Sequence, residues 1–127
     1  VEWLNTTCTL YRRDALPRKF VEAILLDLKR SGITVSIRGR DGGHCLARPP
    51  LAISLAEIVR ATNGPLAMMP CASVTKYEPC QDCADVATCR IRLAFAKGRD
   101  ALASTFEGIS LADLAGPGRL ETLQAIS

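Results

Sequence analysis

The sequence lacks the features of a membrane-bound or secreted protein. No apolar run is long enough to cross a bilayer. Residues 1–14 do not have the basic-then-apolar order of a signal peptide, because Glu2 and Asn5 interrupt them. We therefore expect a cytoplasmic protein with no membrane partner.

Catalytic signatures are also scarce. The chain has one histidine among its 127 residues. It carries no paired carboxylates on one helical face, no glycine loop for phosphate before a helix and no nucleophile motif. The sequence therefore predicts no catalytic residue, no small-molecule substrate and a protein that is not an enzyme.

The charge is modest but unevenly placed. The net charge is +3, yet residues 12–48 contain nine basic and four acidic residues and so carry +5. A basic segment beside a near-neutral one indicates a local anionic partner. A solvated surface is the simpler interpretation for a charge of this size, so the order of structural elements has to distinguish the two.

The pattern of elements predicts a mainly helical fold with a small β-hairpin. Leu16-Pro17 opens an amphipathic helix over 17–30, which Ser31-Gly32 ends. Apolar and polar residues then alternate, and a glycine-rich turn leads to a returning strand, so that 33–48 forms a hairpin. This order is the second half of a winged helix–turn–helix, with 17–30 as recognition helix and 33–48 as wing.

The later segments are predicted as helices around a loop. Ser54 and Glu57 form a capping box for a helix to about Thr62, and a long helix follows from Asp85 to about Phe106. A helix that long beside a small domain usually packs on a copy of itself. The predicted domains are a partial winged helix at 1–64, a cysteine-rich cluster-binding loop at 65–84, a dimerisation helix with a short C-terminal helix at 85–116, and a mobile tail at 117–127.

Basic side chains fit contact with DNA at two places. Those near the N-terminus of the 17–30 helix are expected to meet phosphates and base edges in the major groove. Arg38 and Arg40 at the hairpin tip are expected to reach the adjacent minor groove, where a narrow groove attracts arginine. An amphipathic helix alone more often packs on a core, so the prediction depends on the whole ordered set.

Four of the six cysteines fall within nineteen consecutive residues, spaced Cys71-x8-Cys80-x2-Cys83-x5-Cys89. Soft thiolates in a loop suit an iron–sulfur cluster, and Cys89 lies at the start of the long helix, where the dipole favours a thiolate. Zinc is an alternative, although only Cys80 and Cys83 form a paired knuckle. The remaining alternatives are a thiol switch that forms disulfides on oxidation, and thiols that are inert. The isolated Cys8 and Cys45 are interpreted as ordinary thiols.

Three segments closely resemble the bacterial repressor family that contains IscR, NsrR and RirA (the Rrf-two family). The resemblance covers about residues 12–115, continues through the cysteines and ends in SLADL at 110–114. Its most specific part is the Arg-Gly-x-x-Gly-Gly hairpin followed by Leu-Ala-Arg. The segments are LPRKFVEAIL at 16–25, RGRDGGHCLARPP at 38–50 and ISLAEIV at 53–59.

That resemblance implies a homodimeric winged-helix repressor that binds a pseudo-palindromic promoter in double-stranded DNA. It implies a cluster, 2Fe-2S or 4Fe-4S, held by three cysteines and a variable fourth ligand, with Cys83-x5-Cys89 as the closing spacing and Cys71 or Cys80 as the outer ligand. It places the recognition helix and the wing on the segments predicted above. The predicted DNA-binding residues are Arg18, Lys19, Phe20, Glu22, Arg38, Arg40, Gly42, Gly43 and His44, and the predicted metal ligands are Cys71, Cys80, Cys83 and Cys89.

The chain departs from that family at two places. His44 stands where the family has an aromatic residue, so we expect it to pack in the wing or face a phosphate rather than bind metal. Only about fifteen residues precede the 17–30 helix, so we expect an N-terminally incomplete winged helix without the first helix. The alternatives are a zinc- or thiol-switch regulator and a dimerisation module that does not bind DNA.

Overall fold

The computed structural model describes residues 16–39 and 42–115, which form a mainly helical fold with one two-stranded antiparallel hairpin, as predicted. The predictions for Cys8, Arg40, the missing first helix and the 117–127 tail fall outside the described residues. The elements are α1 Arg18–Arg30, β1 Thr34–Ile37, β2 Gly43–Leu46, a 3₁₀ turn Pro50–Ala52, α2 Leu55–Thr62, a 3₁₀ turn Pro70–Ala72, α3 Arg90–Glu107 and α4 Leu111–Ala115.

The described chain divides into two compact units. Residues 16–39, 42–53 and 110–115 belong to the first, and residues 54–109 belong to the second. We name the first the helix–hairpin unit and the second the cysteine unit. The domain boundaries expected at residues 64, 84 and 116 stay predictions.

Glycine ends α1 as the sequence predicts. Gly32 has φ +70° and donates its N–H to the carbonyl of Lys29 at 3.0 Å. The N–H of Ile33 donates to Leu28 at 2.9 Å, which completes a Schellman motif. Pro17 is the N-cap residue, so the helix begins at Arg18, one residue later than expected.

The hairpin is attached to α1 directly after this cap. Its strands pair Thr34 with Leu46 through Ile37 with Gly43. The hydroxyl of Thr34, which is buried, donates to the carbonyl of Leu25 at 3.5 Å. The backbone of α1 therefore fixes where the first strand begins.

The core of the helix–hairpin unit is small. Val21, Leu25, Ile33 and Ile53 are buried, and Ile53 has 0% of its surface exposed. The helical spacing in α1 predicts one apolar stripe, made of Phe20, Val21, Ile24, Leu25 and Leu28. This prediction is wrong for Phe20, because its side chain is 59% exposed. Successive residues are about 100° apart around the helix axis, so the side chain of Phe20 projects from a different side of α1 than that of Val21.

Capping groups start the helices of the cysteine unit. The Ser54 hydroxyl accepts from the Glu57 N–H at 3.2 Å while the Glu57 carboxylate accepts from the Ser54 N–H at 3.0 Å, so the predicted capping box of α2 is present. The start of α3 was predicted too early, at Asp85 rather than Arg90. Asp85 instead accepts bonds from Ala87 and Thr88, and this local turn precedes the helix.

No helix among the described residues is sufficiently long and apolar to cross a membrane.

Candidate DNA interface and cysteine cleft

The first turn of α1 presents a charged pair to solvent. Arg18 donates through Nε to the Glu22 carboxylate at 2.8 Å, and the two side chains are 72% and 46% exposed. An exposed pair four residues apart contributes only about 0.3–0.5 kcal/mol to stability. The bond between these two side chains is therefore weak on its own.

Lys19 and Phe20 lie beside that pair. Lys19 is exposed and has no ion-pair partner within the described ranges, and Phe20 exposes more than half of its surface. A large aromatic side chain left in water beside a free cation is a poor contributor to a monomer's core. This combination is suited to contact with another molecule.

Glycine shapes the hairpin tip. Gly39 has φ +121° and accepts from the Gly42 N–H at 3.0 Å. A Cβ on Gly42 would press against the carbonyl oxygens of Ile37 and Gly39, so only glycine fits there. Arg38 is exposed directly before Gly39, so a cation stands beside this glycine.

Gly43 and His44 lie in β2, opposite Ile37 and Ser36. His44 is half-buried, and within the described part of the chain its buried Nδ1 has no hydrogen-bond partner. The histidine thus lies against the hairpin rather than extending from it.

The four clustered cysteines line one cleft of about 390 Å³ in the cysteine unit. They differ in exposure: Cys71 is buried, Cys83 and Cys89 are half-buried, and Cys80 is exposed. The Cys83 N–H donates to the Cys80 carbonyl at 3.4 Å, so these two share a tight turn. All four are free thiols.

Cys89 caps α3, in agreement with its expected position at the helix start. Its Sγ accepts from the N–H of Arg92 at 3.4 Å. Sulfur is a weak acceptor, so the thiol is a modest cap for this helix.

The thiols interact electrostatically within the cleft. Partial burial raises the pKa of Cys83, and the neighbouring Cys89, Cys80 and, more weakly, Cys71 raise it further. Thiolates so close together repel one another, so the reduced cleft favours the protonated form at Cys83. A positive centre bound among the sulfurs would reverse that preference.

Two arginines that the sequence analysis did not single out hold the wall of this cleft. Arg92 donates through Nε to the carbonyl of Cys71 at 2.9 Å, and Arg99 donates to the carbonyl of Ala72. The side chain of Arg99 is only 19% exposed. Their spacing along a helix was visible in the sequence, but no local rule predicts which distant carbonyls they meet.

The cysteines share the cleft without being gathered around one point. Among the described residues, no group of three or more His, Cys, Asp or Glu side chains is placed to hold a metal ion. The metal-binding set therefore stays a prediction, as do the roles of the DNA-binding residues.

The fold is that of a winged-helix transcription regulator. A structure of CymR, the global cysteine regulator of Bacillus subtilis, matches 87% of this chain and 76% of its own with a TM-score of 0.63 and 26% identity. IscR of T. potens matches 97% of this chain and 71% of its own with a TM-score of 0.57 and 19% identity, a likeness of fold alone.

The sequence comparisons define the family. Residues 5–117 match Rrf2, the iron-dependent transcriptional regulator family, and the chain belongs to it. A Rhodobacter capsulatus protein described as an rrf2-like HTH-type transcriptional regulator is 42% identical over 106 residues, 84% of this chain and 71% of its own. Protein aau3 of Rhizobium meliloti is 33% identical over 113 residues, 89% of this chain and 71% of its own. The matched family, the Rhodobacter capsulatus relative and CymR are described as transcription regulators, which confirms the prediction that the chain is not an enzyme.

Proposed function

We propose that this chain is the subunit of a cytoplasmic homodimeric repressor that binds promoter DNA and adjusts its affinity through an iron–sulfur cluster, as expected for the IscR, NsrR and RirA branch of the family. One observation carries the sensing part: four free thiols from a nineteen-residue stretch line a single cleft. Cysteine is scarce in proteins, and four inert thiols rarely come together in this way.

The start of α1 is the proposed base-reading surface. Lys19 and Phe20 are exposed there, and Arg18 and Glu22 are exposed beside them as a pair that is weak on its own. Arginine and lysine suit guanine and phosphate, a carboxylate suits the cytosine amino group, and a phenyl ring suits the thymine methyl group. Each of the predicted groups is thus matched to a feature of the major groove.

The hairpin is the proposed wing. Gly42 allows a narrow turn before β2, and Arg38 stands exposed beside it, which suits insertion into a narrow minor groove. Arg40, outside the described residues, is proposed for the same groove from its place in the sequence. His44 is proposed to pack within the wing, because its imidazole is half-buried.

The proposed dimer uses α3. In that helix Ile91 is 62% exposed and Leu93 is 50% exposed. Such exposure of large apolar side chains is unusual for a helix of a small monomer. A second copy of α3 would cover such side chains without any partner of another kind. Sedimentation of the purified chain at micromolar concentration tests this, and a monomer there would contradict it.

The cleft residues suit a cluster in donor type. All four donors are thiols, which iron–sulfur clusters prefer. Zinc ribbons normally use two paired knuckles, whereas only Cys80 and Cys83 form a pair in this chain, and this favours the cluster over zinc. Cys83, Cys89 and either Cys71 or Cys80 would hold it, and when bound it supplies redox and iron sensitivity.

A thiol switch is the second candidate, and the free, closely spaced Cys80 and Cys83 favour it. The two candidates differ in what the protein carries when it is made without oxygen. A cluster protein is coloured and contains iron and sulfide, whereas a thiol switch is colourless and contains neither.

Anaerobic purification therefore tests the proposal most directly. We expect visible absorbance with near-equal iron and sulfide content in the reduced preparation. A colourless protein that carries zinc, or no metal at all, would overturn cluster sensing and leave a zinc or thiol regulator.

Gel-shift assays across a salt series test the DNA interface. Lys19→Ala should weaken binding and lower the slope of log affinity against log salt by about one, because one phosphate contact is lost. Lys29→Ala is the matched control: it removes the same charge from the exposed C-terminal end of the same helix. Equal slopes in both variants would remove Lys19 from the interface, and salt-independent binding would favour the dimerisation-module alternative.

A further inference from the structure

The most buried part of the cysteine loop is a single 3₁₀ turn. Within Pro70–Ala72, Cys71 is 7% exposed and Ala72 is 1% exposed. Ser73, which follows the turn, is 6% exposed, and residues 74–80 beyond it are all exposed. A short turn of this kind has few backbone bonds of its own, so something else must hold it in place.

One face of α3 holds the Pro70–Ala72 turn in place. Arg92 and Arg99 are seven residues apart, so they lie on the same side of the helix. Arg92 Nε donates to the Cys71 carbonyl at 2.9 Å, and Arg99 donates to the next carbonyl along the chain, that of Ala72. Bonds from a charged donor are about twice as strong as neutral ones, and both of these cross more than twenty residues of sequence.

Arg92 also contacts a second cysteine. Its backbone N–H donates to Cys89 Sγ at 3.4 Å, while its side chain bonds to the backbone of Cys71. A single residue therefore links the buried cysteine of the loop to the cysteine that caps the helix. Both of those cysteines, and Arg92 itself, line the cleft.

We propose that Arg92 is a positioning residue that holds Cys71 in place opposite Cys89, so that Cys71 is the pre-placed thiol of the cleft and Cys80 the adaptable one. The purpose of this arrangement rests on the proposed cluster function, but the contact itself needs no metal. An arginine suits the task because its guanidinium stays charged and offers several donors in a fixed plane.

The rates at which individual cysteines react with iodoacetamide test the contact directly. The reduced, metal-free chain of 127 residues is used, and each cysteine is followed by peptide mass spectrometry. Cys71 should react slowly in the parent protein and about tenfold faster in Arg92→Gln, the change expected for the loss of one charge-assisted hydrogen bond. The exposed Cys80 should react at one rate throughout and serves as the internal standard.

Two further variants separate positioning from general loosening. Arg90→Gln removes an exposed arginine of the same helix and should leave the Cys71 rate unchanged. Arg92→Lys keeps the charge and a donor and should restore part of the protection. A slow Cys71 in Arg92→Gln, or an equal rise in Arg90→Gln, would overturn the proposal.

A second readout connects the contact to the cluster. After anaerobic reconstitution with iron and sulfide, the visible absorbance of Arg92→Gln should bleach several-fold faster under a chelator than that of Arg90→Gln. Equal bleaching would contradict a role for Arg92 at the cluster. If the parent protein takes up no cluster, the proposed function fails, while the alkylation rates still decide whether Arg92 positions Cys71.

Discussion

The helix–hairpin unit and the cysteine unit are held in shape by different kinds of contact. In the first, backbone bonds between residues close in sequence define the Gly32 cap and the strand ladder. In the second, the loop before α3 is held by the side chains of Arg92 and Arg99, which reach across more than twenty residues. Local backbone hydrogen bonds therefore define the first unit, whereas a few long-range side-chain hydrogen bonds hold the loop of the second.

This difference corresponds to the two proposed tasks. Reading a groove requires a helix and a hairpin whose relative placement does not change, and a ladder joined to α1 supplies it. Holding a ligand that is gained and lost requires a segment of low local stability, and such segments have few backbone bonds of their own. The comparison predicts that damage to the two units has different consequences.

The largest expected effect is in the cysteine unit. Cys83→Ala should abolish the visible absorbance and the bound iron completely, because Cys83 lies among the other three thiols of the cleft. We also expect its promoter affinity to change. Iron and sulfide assays with a gel shift measure both.

Cys45→Ser is the matched control for that variant. Cys45 lies in β2, outside the cleft, and its loss should leave the colour intact. A coloured Cys83→Ala protein would remove Cys83 from the ligands. A colourless Cys83→Ala protein with unchanged DNA affinity would separate the cluster from regulation.

The same contrast determines what could be predicted from the sequence. The α1 helix, its Gly32 end and the Ser54–Glu57 box follow from signals within a few residues, and each was predicted nearly to the residue. The turn at Asp85 was missed, because a polar side chain that bonds to nearby groups competed with helical periodicity.

The cleft was predicted only in part. The cysteine spacing indicated that the thiols belong to one site, and all four do line one cleft. Its buried wall at Cys71 depends on Arg92, 21 residues away. Pairings at such distances are set by tertiary packing, and no spacing rule within the loop contains them.

The second expected effect concerns the small core of the helix–hairpin unit. Ile53→Ala removes the side chain with 0% exposure and should lower the free energy of unfolding by about 2–5 kcal/mol, through lost burial and the cavity left behind. Urea unfolding followed by circular dichroism measures it. Leu51→Ala, at a position 73% exposed, should change stability by less than about 0.5 kcal/mol. Similar losses in both variants would contradict a core centred on Ile53.

A pair of glycine substitutions sharpens the contrast between the units. Gly42→Ala forces a Cβ against two carbonyl oxygens of the hairpin. It should lower the free energy of unfolding by about 1–3 kcal/mol. In Gly98→Ala, on α3, the added Cβ meets no described atom within 4 Å outside its chain neighbours and the backbone of its own helix. The free energy of unfolding should rise by about 0.5–1 kcal/mol, because glycine is a poor helix former. Opposite shifts in the thermal midpoint are expected. The wing has no structural need for glycine if Gly42→Ala is neutral.

The smallest expected effect is a pH dependence confined to the cysteine unit. Asp85 accepts the N–H of Ala87 at 2.9 Å and the hydroxyl of Thr88 at 3.0 Å, and these bonds, the backbone one first, lower its pKa below the ordinary value. The folded turn therefore favours the carboxylate. Its stabilisation is complete above the ordinary carboxyl pKa and is lost as the pH falls through the lowered one.

Amide exchange should show this turn open on acidification while the hairpin, whose turn is closed by the backbone bond from Gly42 to Gly39, keeps its protection. Ala87 is the amide to follow, and the loss should develop below about pH 4. Asp85→Asn should remove this pH dependence of the protection at Ala87, whereas Asp82→Asn, at an exposed neighbouring aspartate, should not. Because a backbone carbonyl does not titrate in this range and a carboxylate does, equal acid sensitivity at Ala87 and Gly42 would mean that both turns are held in the same way.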